Sequence, residues 1–259
     1  MRTVVVVGAG GRLGRELAEA IAASPSCELV GAVDTSATGS IGGCALVPTL
    51  RDVSTAADVV LITTTPEAVI TVACEALDRG SDVVIGTSGV SDATRHLLHD
   101  RAIERGRSVL VVPNFALGAV LLLRFAAMAA KFFPSVEVIE LHHPNKIDAP
   151  SGTATHTVEV LAAARAAAGL SAPPDATTVE ALPGARGAVG PGGIHVHAVR
   201  LMGLVAHEEV LFGGPGEQLT LRHDSMDRSS FVAGALLAVG SVGHEVGLSV
   251  GLDQFLDRA

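Results

Sequence analysis

The chain opens with an apolar, β-branched run that leads directly into a glycine-rich turn. Thr3 to Val7 predicts a buried strand, Arg15 to Ala23 a helix, and Glu28 to Val33 a second strand that ends at Asp34. Four glycines follow the first strand, Gly8, Gly10, Gly11 and Gly14, and Gly8, Gly11 and Gly14 are spaced three residues apart. The order of strand, glycine turn, helix, strand and acid is typical of a dinucleotide-binding unit. An α/β fold with a parallel sheet is therefore expected for the first third of the chain.

This turn has the chemistry that a pyrophosphate needs. Glycines expose backbone N–H groups, and the helix that begins near Arg12 and Leu13 directs its positive end at the phosphates. Asp34 is placed to accept hydrogen bonds from ribose hydroxyls, which favours NADH, whereas Arg12 could reach a 2′-phosphate, which favours NADPH. The common G-x-G-x-x-G spacing would require glycine at Leu13. A βαβ turn without a ligand is the alternative.

Further strands and helices alternate through residue 112. Strands are predicted over Asp58 to Thr63, Asp82 to Ile85 and Ser108 to Val112, with helices over Pro66 to Arg79 and, capped by Ser91, up to Arg105. Ligands of such sheets bind at the carboxyl ends of the strands. The residues expected to face the cofactor there are Thr63, Gly86, Thr87, Ser88, Pro113, Asn114 and Phe115. Each of these loops is equally compatible with an ordinary turn.

The centre of the chain concentrates acid–base and anion-binding residues. A strand predicted over Glu137 to Leu141 precedes His142, His143, Lys146 and Asp148, and an alanine-rich helix is predicted from Thr153 to about Ala168. Lysine is rare in this sequence, with Lys131 as the one other example. The helix start at Ser151, Gly152 and Thr153 predicts a carboxylate site, and the histidines and Lys146 are suited to proton transfer. A helix cap without chemistry is the alternative, and no metal site is expected.

The remainder predicts a long loop and a β-rich segment. Residues 171–193 are rich in Pro, Gly and Ala, which is compatible with a cover over the site or an inert linker. His195 and His197 share one face of a strand and are expected to face solvent. Strands over Glu208 to Phe212 and Gln218 to His223 and a buried helix over Ser229 to Val239 follow.

Composition excludes several classes of protein. The net charge of −9 argues against a nucleic-acid partner. Three cysteines cannot all pair, so a disulfide scaffold is not expected. The expected location is the reducing cytoplasm. The apolar segment from Phe115 to Phe133 is interrupted by Arg124 and Lys131, and the one from Phe231 to Val242 is too short to span a bilayer. No membrane association is expected.

Residues 140–154, ELHHPNKIDAPSGTA, resemble the signature of 4-hydroxy-tetrahydrodipicolinate reductases, also called dihydrodipicolinate reductases. VVVVGAGGRLGRE, GTSG, VPNFALGAVL and the C-terminal half resemble other segments of that family, most closely its actinobacterial members. The resemblance implies an NAD(P)H-dependent oxidoreductase of diaminopimelate and lysine biosynthesis. The implied reaction is hydride transfer to a cyclic imine dicarboxylate with loss of water.

The resemblance also implies an architecture and residue roles. A Rossmann-like nucleotide domain (residues 1–113 and 230–259) and an α+β substrate domain with a mixed sheet (114–229) would assemble as a homotetramer. His142 would be the catalytic proton donor or acceptor and Lys146 the second proton donor. His143 would bind substrate, and Gly152 and Thr153 would hold a carboxylate.

The sequence departs from the family in the nucleotide domain. Ile62 and Thr63 stand where the family usually has the Asp and Phe of D-F-T, Ser88 replaces the second threonine of GTTG, and Val90 replaces a Phe. Loss of an aromatic ring beside a cofactor removes stacking area. Two alternatives therefore stay open: a paralogous reductase of another cyclic imine or enamine, and a non-catalytic NAD(P)-binding regulatory protein.

Overall fold

The computed structural model describes residues 1–36 and 38–258. The chain divides into two compact units. Unit 1 comprises Met1–Leu117 and the chain from Arg228 onward, and unit 2 comprises Gly118–Asp227. The domain boundaries predicted from the sequence, after residues 113 and 229, lie a few positions from the boundaries of these units.

The elements alternate in unit 1 and become strand-rich in unit 2. The strands are β1 (Arg2–Val7), β2 (Cys27–Val33), β3 (Ser40–Ile41), β4 (Cys44–Val47), β5 (Val59–Ile62), β6 (Asp82–Ile85), β7 (Ser108–Val111), β8 (Ser135–His142), β9 (Ala188–Val189), β10 (His195–Arg200), β11 (Ala206–Gly214), β12 (Glu217–Ser225) and β13 (Gly247–Val250). The helices are α1 (Arg12–Ala23), α2 (Pro66–Asp78), α3 (Asp92–Arg105), α4 (Leu117–Ala129), α5 (Gly152–Ala167) and α6 (Val232–Ser241). Short 3₁₀ turns cover Leu50–Asp52, Pro191–Gly193, Arg228–Phe231 and Asp253–Arg258.

Unit 1 is built on an eight-stranded sheet in the order β13-β7-β6-β5-β1-β2-β4-β3. Its pairs are parallel except for β3 with β4. Every residue of β5 and β7 is buried, as expected for strands covered on both faces. The strand order reverses beside β1, which pairs with β2 on one side and β5 on the other. The carboxyl ends of β1 and β5 therefore lie at the point where open α/β sheets bind ligands.

Unit 2 is built on a mixed five-stranded sheet in the order β12-β11-β8-β10-β9. Only β8 and β10 pair in parallel. Strands β8 and β11 and helices α4 and α5 contribute to an apolar core, which includes Val136, Val138, Val210 and Phe212 from the strands and Leu122, Ala126, Val158 and Leu161 from the helices. The two sheets confirm the predicted combination of a Rossmann-like α/β unit with a separate mixed-sheet unit.

Short elements account for most differences from the sequence expectation. The hairpin of β3 and β4 and the last strand β13 were not predicted, and α6 begins at Val232, after a 3₁₀ turn, rather than at Ser229. The apolar segment near residue 120 forms α4, of 13 residues. Within the described residues, no helix has the length and apolar character needed to cross a bilayer.

The expectation that His195 faces solvent is wrong, because the 171–193 segment covers it. His195 is only 9% exposed, with Nδ1 2.6 Å from the carbonyl oxygen of Arg186 and Nε2 3.0 Å from the carboxylate of Asp175. Arg186 also donates to Glu137 on β8, at 2.6 Å. Ion pairs therefore anchor this segment to the sheet of unit 2. His197 is half-buried and lies 2.7 Å from Glu137.

Candidate active site

Two positions in the glycine turn of unit 1, Gly8 and Gly14, are too tightly packed for any other residue. Gly8 has φ +83°, and a Cβ atom there would lie 2.5 Å from the carbonyl oxygen of Thr63. A Cβ atom on Gly14 would lie 2.0 Å from the carbonyl oxygen of Gly8. The Thr63 hydroxyl donates to the carbonyl oxygen of Val7 at 3.1 Å. The turn therefore brings Gly8, Gly14 and Thr63 together at the switch point of the sheet.

The N-terminus of α1 lacks a side-chain cap. Gly11 is the N-cap residue, and Arg12 and Leu13 open the helix. The first N–H groups of an α-helix have no partner within the helix, so an uncapped N-terminus suits a pyrophosphate. The Asp34 carboxylate accepts from the backbone N–H of Gly10 at 2.9 Å and from the N–H of Ser36 at 3.0 Å. This turn and its acid fit a dinucleotide.

Two other strand ends of unit 1 pack against their neighbours. Gly86 lies against Phe115, because a Cβ atom there would be 2.3 Å from the ring atom Cε2. The Thr87 hydroxyl donates to the carbonyl oxygen of Thr64 at 2.9 Å. The Asn114 side-chain oxygen accepts from the N–H of Ala116, also at 2.9 Å. Phe115 is buried, whereas Ser88 and Pro113 are exposed. Their contact with a cofactor stays a prediction.

In unit 2, one face of the sheet changes from apolar to polar along the strands. Two rows are apolar: Val136, Phe212 and Leu219, then Val138, Val196, Val210 and Leu221. The next two rows carry polar side chains: Glu140, Glu208 and His223, then His142, Arg200 and Ser225. Because side chains two apart on a strand share a face, the alternation that builds the core also places these groups at the carboxyl end of β8.

Glu140 is the central group of this polar layer. Its carboxylate has no solvent exposure and accepts two hydrogen bonds from Arg200, at 2.7 and 2.8 Å. His142 Nδ1 lies 2.5 Å from Oε2, and the N–H of Ser151 donates to Oε1 at 3.1 Å. Burial raises the pKa of Glu140, but the bonds from Arg200 and His142 outweigh burial and keep this pKa below its ordinary value.

His142 is a largely buried imidazole among charged groups. Burial lowers its pKa, and the positive charges of Lys146 and Arg200 lower it further, whereas Glu140 opposes the shift. The net direction is downward from the ordinary value of 6.5. The neutral ring is therefore the dominant form in the free protein at neutral pH, ready to exchange a proton when a ligand changes the local charge.

Lys146 belongs to the turn that follows β8. Its N–H donates to the carbonyl oxygen of His143 at 3.2 Å, and its Nζ donates to both carboxylate oxygens of Asp148, at 2.8 and 2.9 Å. Asp148 is exposed, and its hydrogen bond with Lys146 lowers its pKa. The Lys146 side chain is 21% exposed. Its ammonium group is partly open to solvent and lies close enough to His142 for its charge to lower the pKa of that imidazole.

The N-terminus of α5 supplies the anion-binding geometry. Ser151 is the N-cap residue, and its hydroxyl accepts from the N–H of Ala154 at 3.1 Å. The Ser151 N–H donates to Glu140, and this hydrogen bond holds the start of the helix in place. Gly152 and Thr153 are exposed, and a Cβ atom on Gly152 would meet open space. N–H groups at an exposed helix N-terminus can bind a carboxylate, and the contact of these two residues with a substrate stays a prediction.

Arg200 and Glu208 are not among the site residues predicted from the sequence. Arg200 is paired with His142 across the sheet, two residues beyond the partner of Glu140, and recognition of β8 and β10 as parallel neighbours would have placed Arg200 and Glu140 on one face. Glu208 lies opposite Glu140 on β11 and is 6% exposed. Among the described residues, its Oε1 has no hydrogen-bond partner. Burial raises its pKa, as does the charge of Glu140, while Thr157 opposes the shift.

Glu208→Gln is expected to stabilise the protein at pH 8 but not at pH 4. Because the pKa of Glu208 is raised in the folded state, the stability it contributes is full below its ordinary value of 4.5 and is lost as the pH rises through the folded pKa. At pH 8 the free energy of unfolding should rise by about 1–3 kcal/mol. Urea denaturation at both pH values measures this change, and an equal effect at both would contradict it.

Comparison with known proteins identifies relatives over the whole length. Residues 2–115 match the family description "Dihydrodipicolinate reductase, N-terminus", and residues 118–256 match "Dihydrodipicolinate reductase, C-terminus". The 4-hydroxy-tetrahydrodipicolinate reductase of Nocardia farcinica is 50% identical over 258 residues, 98% of each chain. That of Cutibacterium acnes is 48% identical over 257 residues, 99% of each chain.

A solved structure agrees with these matches. The dipicolinate-bound dihydrodipicolinate reductase of Paenisporosarcina sp. TG-14 superimposes with a TM-score of 0.89 at 36% identity, over 99% of this chain and 100% of that one. These matches confirm the resemblance of residues 140–154 and of the glycine turn. The chain is therefore a member of the dihydrodipicolinate reductase family.

Proposed function

We propose that the protein reduces 4-hydroxy-tetrahydrodipicolinate to tetrahydrodipicolinate with NADH or NADPH, in diaminopimelate and lysine biosynthesis. The observation that carries this proposal is the end of β8, where His142, Lys146 and the open N-terminus of α5 converge. A cyclic dicarboxylate needs an anion site, and its reduction needs a proton source beside that site.

The residues of the site have two chemical roles, anion binding and proton transfer. The N–H groups of Gly152 and Thr153 bind one carboxylate, and the exposed His143 also binds the substrate. His142 and Lys146 supply and accept protons. In the overall reaction one hydride and one proton enter the ring, and one water molecule leaves it. When the substrate binds, Lys146 gives up its hydrogen bond to Asp148 and bonds to the substrate instead.

Unit 1 binds the cofactor through the glycine turn, Asp34 and the neighbouring strand ends. NADH or NADPH, when bound, supplies the hydride. Ile62 and Thr63 do not disrupt this turn, because Ile62 is fully buried in the core and Thr63 packs under Gly8. Retention of His142, Lys146 and Thr153 favours a catalytic reductase over a non-catalytic NAD(P)-binding protein.

Steady-state oxidation of NADH and of NADPH, followed at about 340 nm, tests the proposal. The substrate is generated in situ by its synthase. Turnover at about 1–1,000 s⁻¹ is expected with at least one cofactor, the ordinary range for enzymes. Cofactor binding without turnover would instead support the paralogue that reduces another cyclic imine.

A homotetramer is the assembly that we propose. Unit 2 exposes apolar side chains that a second copy would cover, among them Val189, Leu201 and Met202. Light scattering should give a mass four times that of the 26.2 kDa chain. Cys27, Cys44 and Cys74 are free thiols, which fits a cytoplasmic location.

A further inference from the structure

We propose that Glu140, held by Arg200, is the positioning residue that sets the tautomer of His142 and seats the N-terminus of α5. The inference rests on the proposed function, in which His142 exchanges protons and α5 binds a carboxylate. It adds two residues, on separate strands, to the groups on which the reaction depends.

Each carboxylate oxygen of Glu140 has two hydrogen-bond partners. Oε1 accepts from Arg200 Nη2 at 2.7 Å and from the N–H of Ser151 at 3.1 Å. Oε2 accepts from Arg200 Nη1 at 2.8 Å and lies 2.5 Å from His142 Nδ1. The side chain has no solvent exposure, so no water competes for these positions. A buried carboxylate with a bidentate arginine is fixed in orientation as well as in charge.

This geometry decides which nitrogen of His142 carries a proton. An ionised carboxylate can only accept, so Nδ1 must donate to Glu140. The neutral ring then carries its lone pair on Nε2. Nε2 is therefore the atom that exchanges protons with a ligand, and Glu140 prevents the ring from turning over or changing tautomer.

The same ion pair connects three parts of the site within unit 2. Glu140 holds His142 at the end of β8 and the backbone of Ser151 at the start of α5. Arg200 Nη2 also donates to the carbonyl oxygen of Asp148 at 2.7 Å, and the Asp148 carboxylate binds Lys146. Loss of the charge on Glu140 should therefore disturb proton transfer more than it disturbs the binding of the cofactor to unit 1.

The direct test is ¹⁵N NMR of histidine-labelled full-length protein, without substrate or cofactor, with His142→Asn used to assign the signal. Above the pKa of His142, the wild type should show a protonated Nδ1 and an unprotonated Nε2. The opposite tautomer in the wild type would overturn the inference without any need for a Glu140 variant. Because no turnover is involved, this outcome is independent of the proposed reaction.

Glu140→Gln is the matched kinetic test, since it keeps the shape and removes the charge. We expect mixed tautomers of His142, a kcat about 10²- to 10⁴-fold lower by analogy with other carboxylate–histidine pairs, and a shifted acidic limb of the pH profile. Glu217→Gln, which changes an exposed carboxylate at the start of β12, should keep the tautomer and kcat of the wild type. A Glu140→Gln protein with the wild-type tautomer and kcat would refute the assignment.

Discussion

Lys146→Met is expected to lower kcat by about 10²- to 10⁴-fold, the range over which a positioned proton donor contributes to catalysis. The physical reason is that Lys146 holds a positive charge and a transferable proton near His142, and that its ammonium group is hydrogen-bonded to the exposed Asp148. Methionine keeps much of the side-chain length but has no proton to give. Steady-state kinetics with saturating cofactor measure the change.

The only other lysine of the chain provides the control. Lys131 is exposed beyond the end of α4, so Lys131→Met should leave kcat within about twofold of the wild type. Binding of NADPH should be unaffected in both variants, because both lysines lie in unit 2. A Lys146→Met enzyme with wild-type kcat would remove Lys146 from the proton-transfer machinery.

Gly14→Ala is expected to weaken NADPH binding by about 100-fold, which corresponds to about 2.8 kcal/mol. The added methyl group would lie 2.0 Å from the carbonyl oxygen of Gly8. Gly8 cannot yield easily, because it has φ +83° and packs against Thr63. The turn must therefore open and displace the N–H groups that α1 offers to the phosphates. Titration of NADPH fluorescence measures this loss of affinity.

Gly240→Ala serves as the matched control in the same unit. Gly240 is exposed in α6, and an added Cβ atom would meet nothing within 4 Å. This substitution should stabilise the helix by about 0.5–1 kcal/mol and leave NADPH affinity unchanged. Unimpaired NADPH binding by a folded Gly14→Ala protein would show that the turn is not the phosphate site.

Local patterns made much of this fold predictable. The run from Thr3 to Val7, the glycines after it and the cap at Ser91 each act through neighbours in the sequence, and the structure confirms all of them. The hairpin of β3 and β4 turns through Gly42 and Gly43, both with positive φ, but its strands are too short for a periodic signal. β13 likewise has only four residues.

The arrangement of polar groups in unit 2 depends on pairing between distant strands. Glu140 and Arg200 are 60 positions apart and meet only because β8 and β10 are parallel neighbours. His195 is buried because Asp175 and Arg186 return to it from the 171–193 segment. Local periodicity in the sequence reveals neither of these two sets of contacts. Local patterns therefore singled out His142 and Lys146 but missed Arg200, which comes from a distant strand and holds Glu140 beside His142.

Deuterium transfer tests the central claim most directly. The protein is incubated with NADPH and NADH carrying deuterium at the transferable position of the nicotinamide ring, together with 4-hydroxy-tetrahydrodipicolinate formed in situ. We expect tetrahydrodipicolinate with deuterium on a ring carbon, detected by mass spectrometry, and its formation at about 10²- to 10⁴-fold lower rate with Lys146→Met. Oxidised cofactor without deuterium in the ring, or unchanged substrate with both cofactors bound, would contradict it.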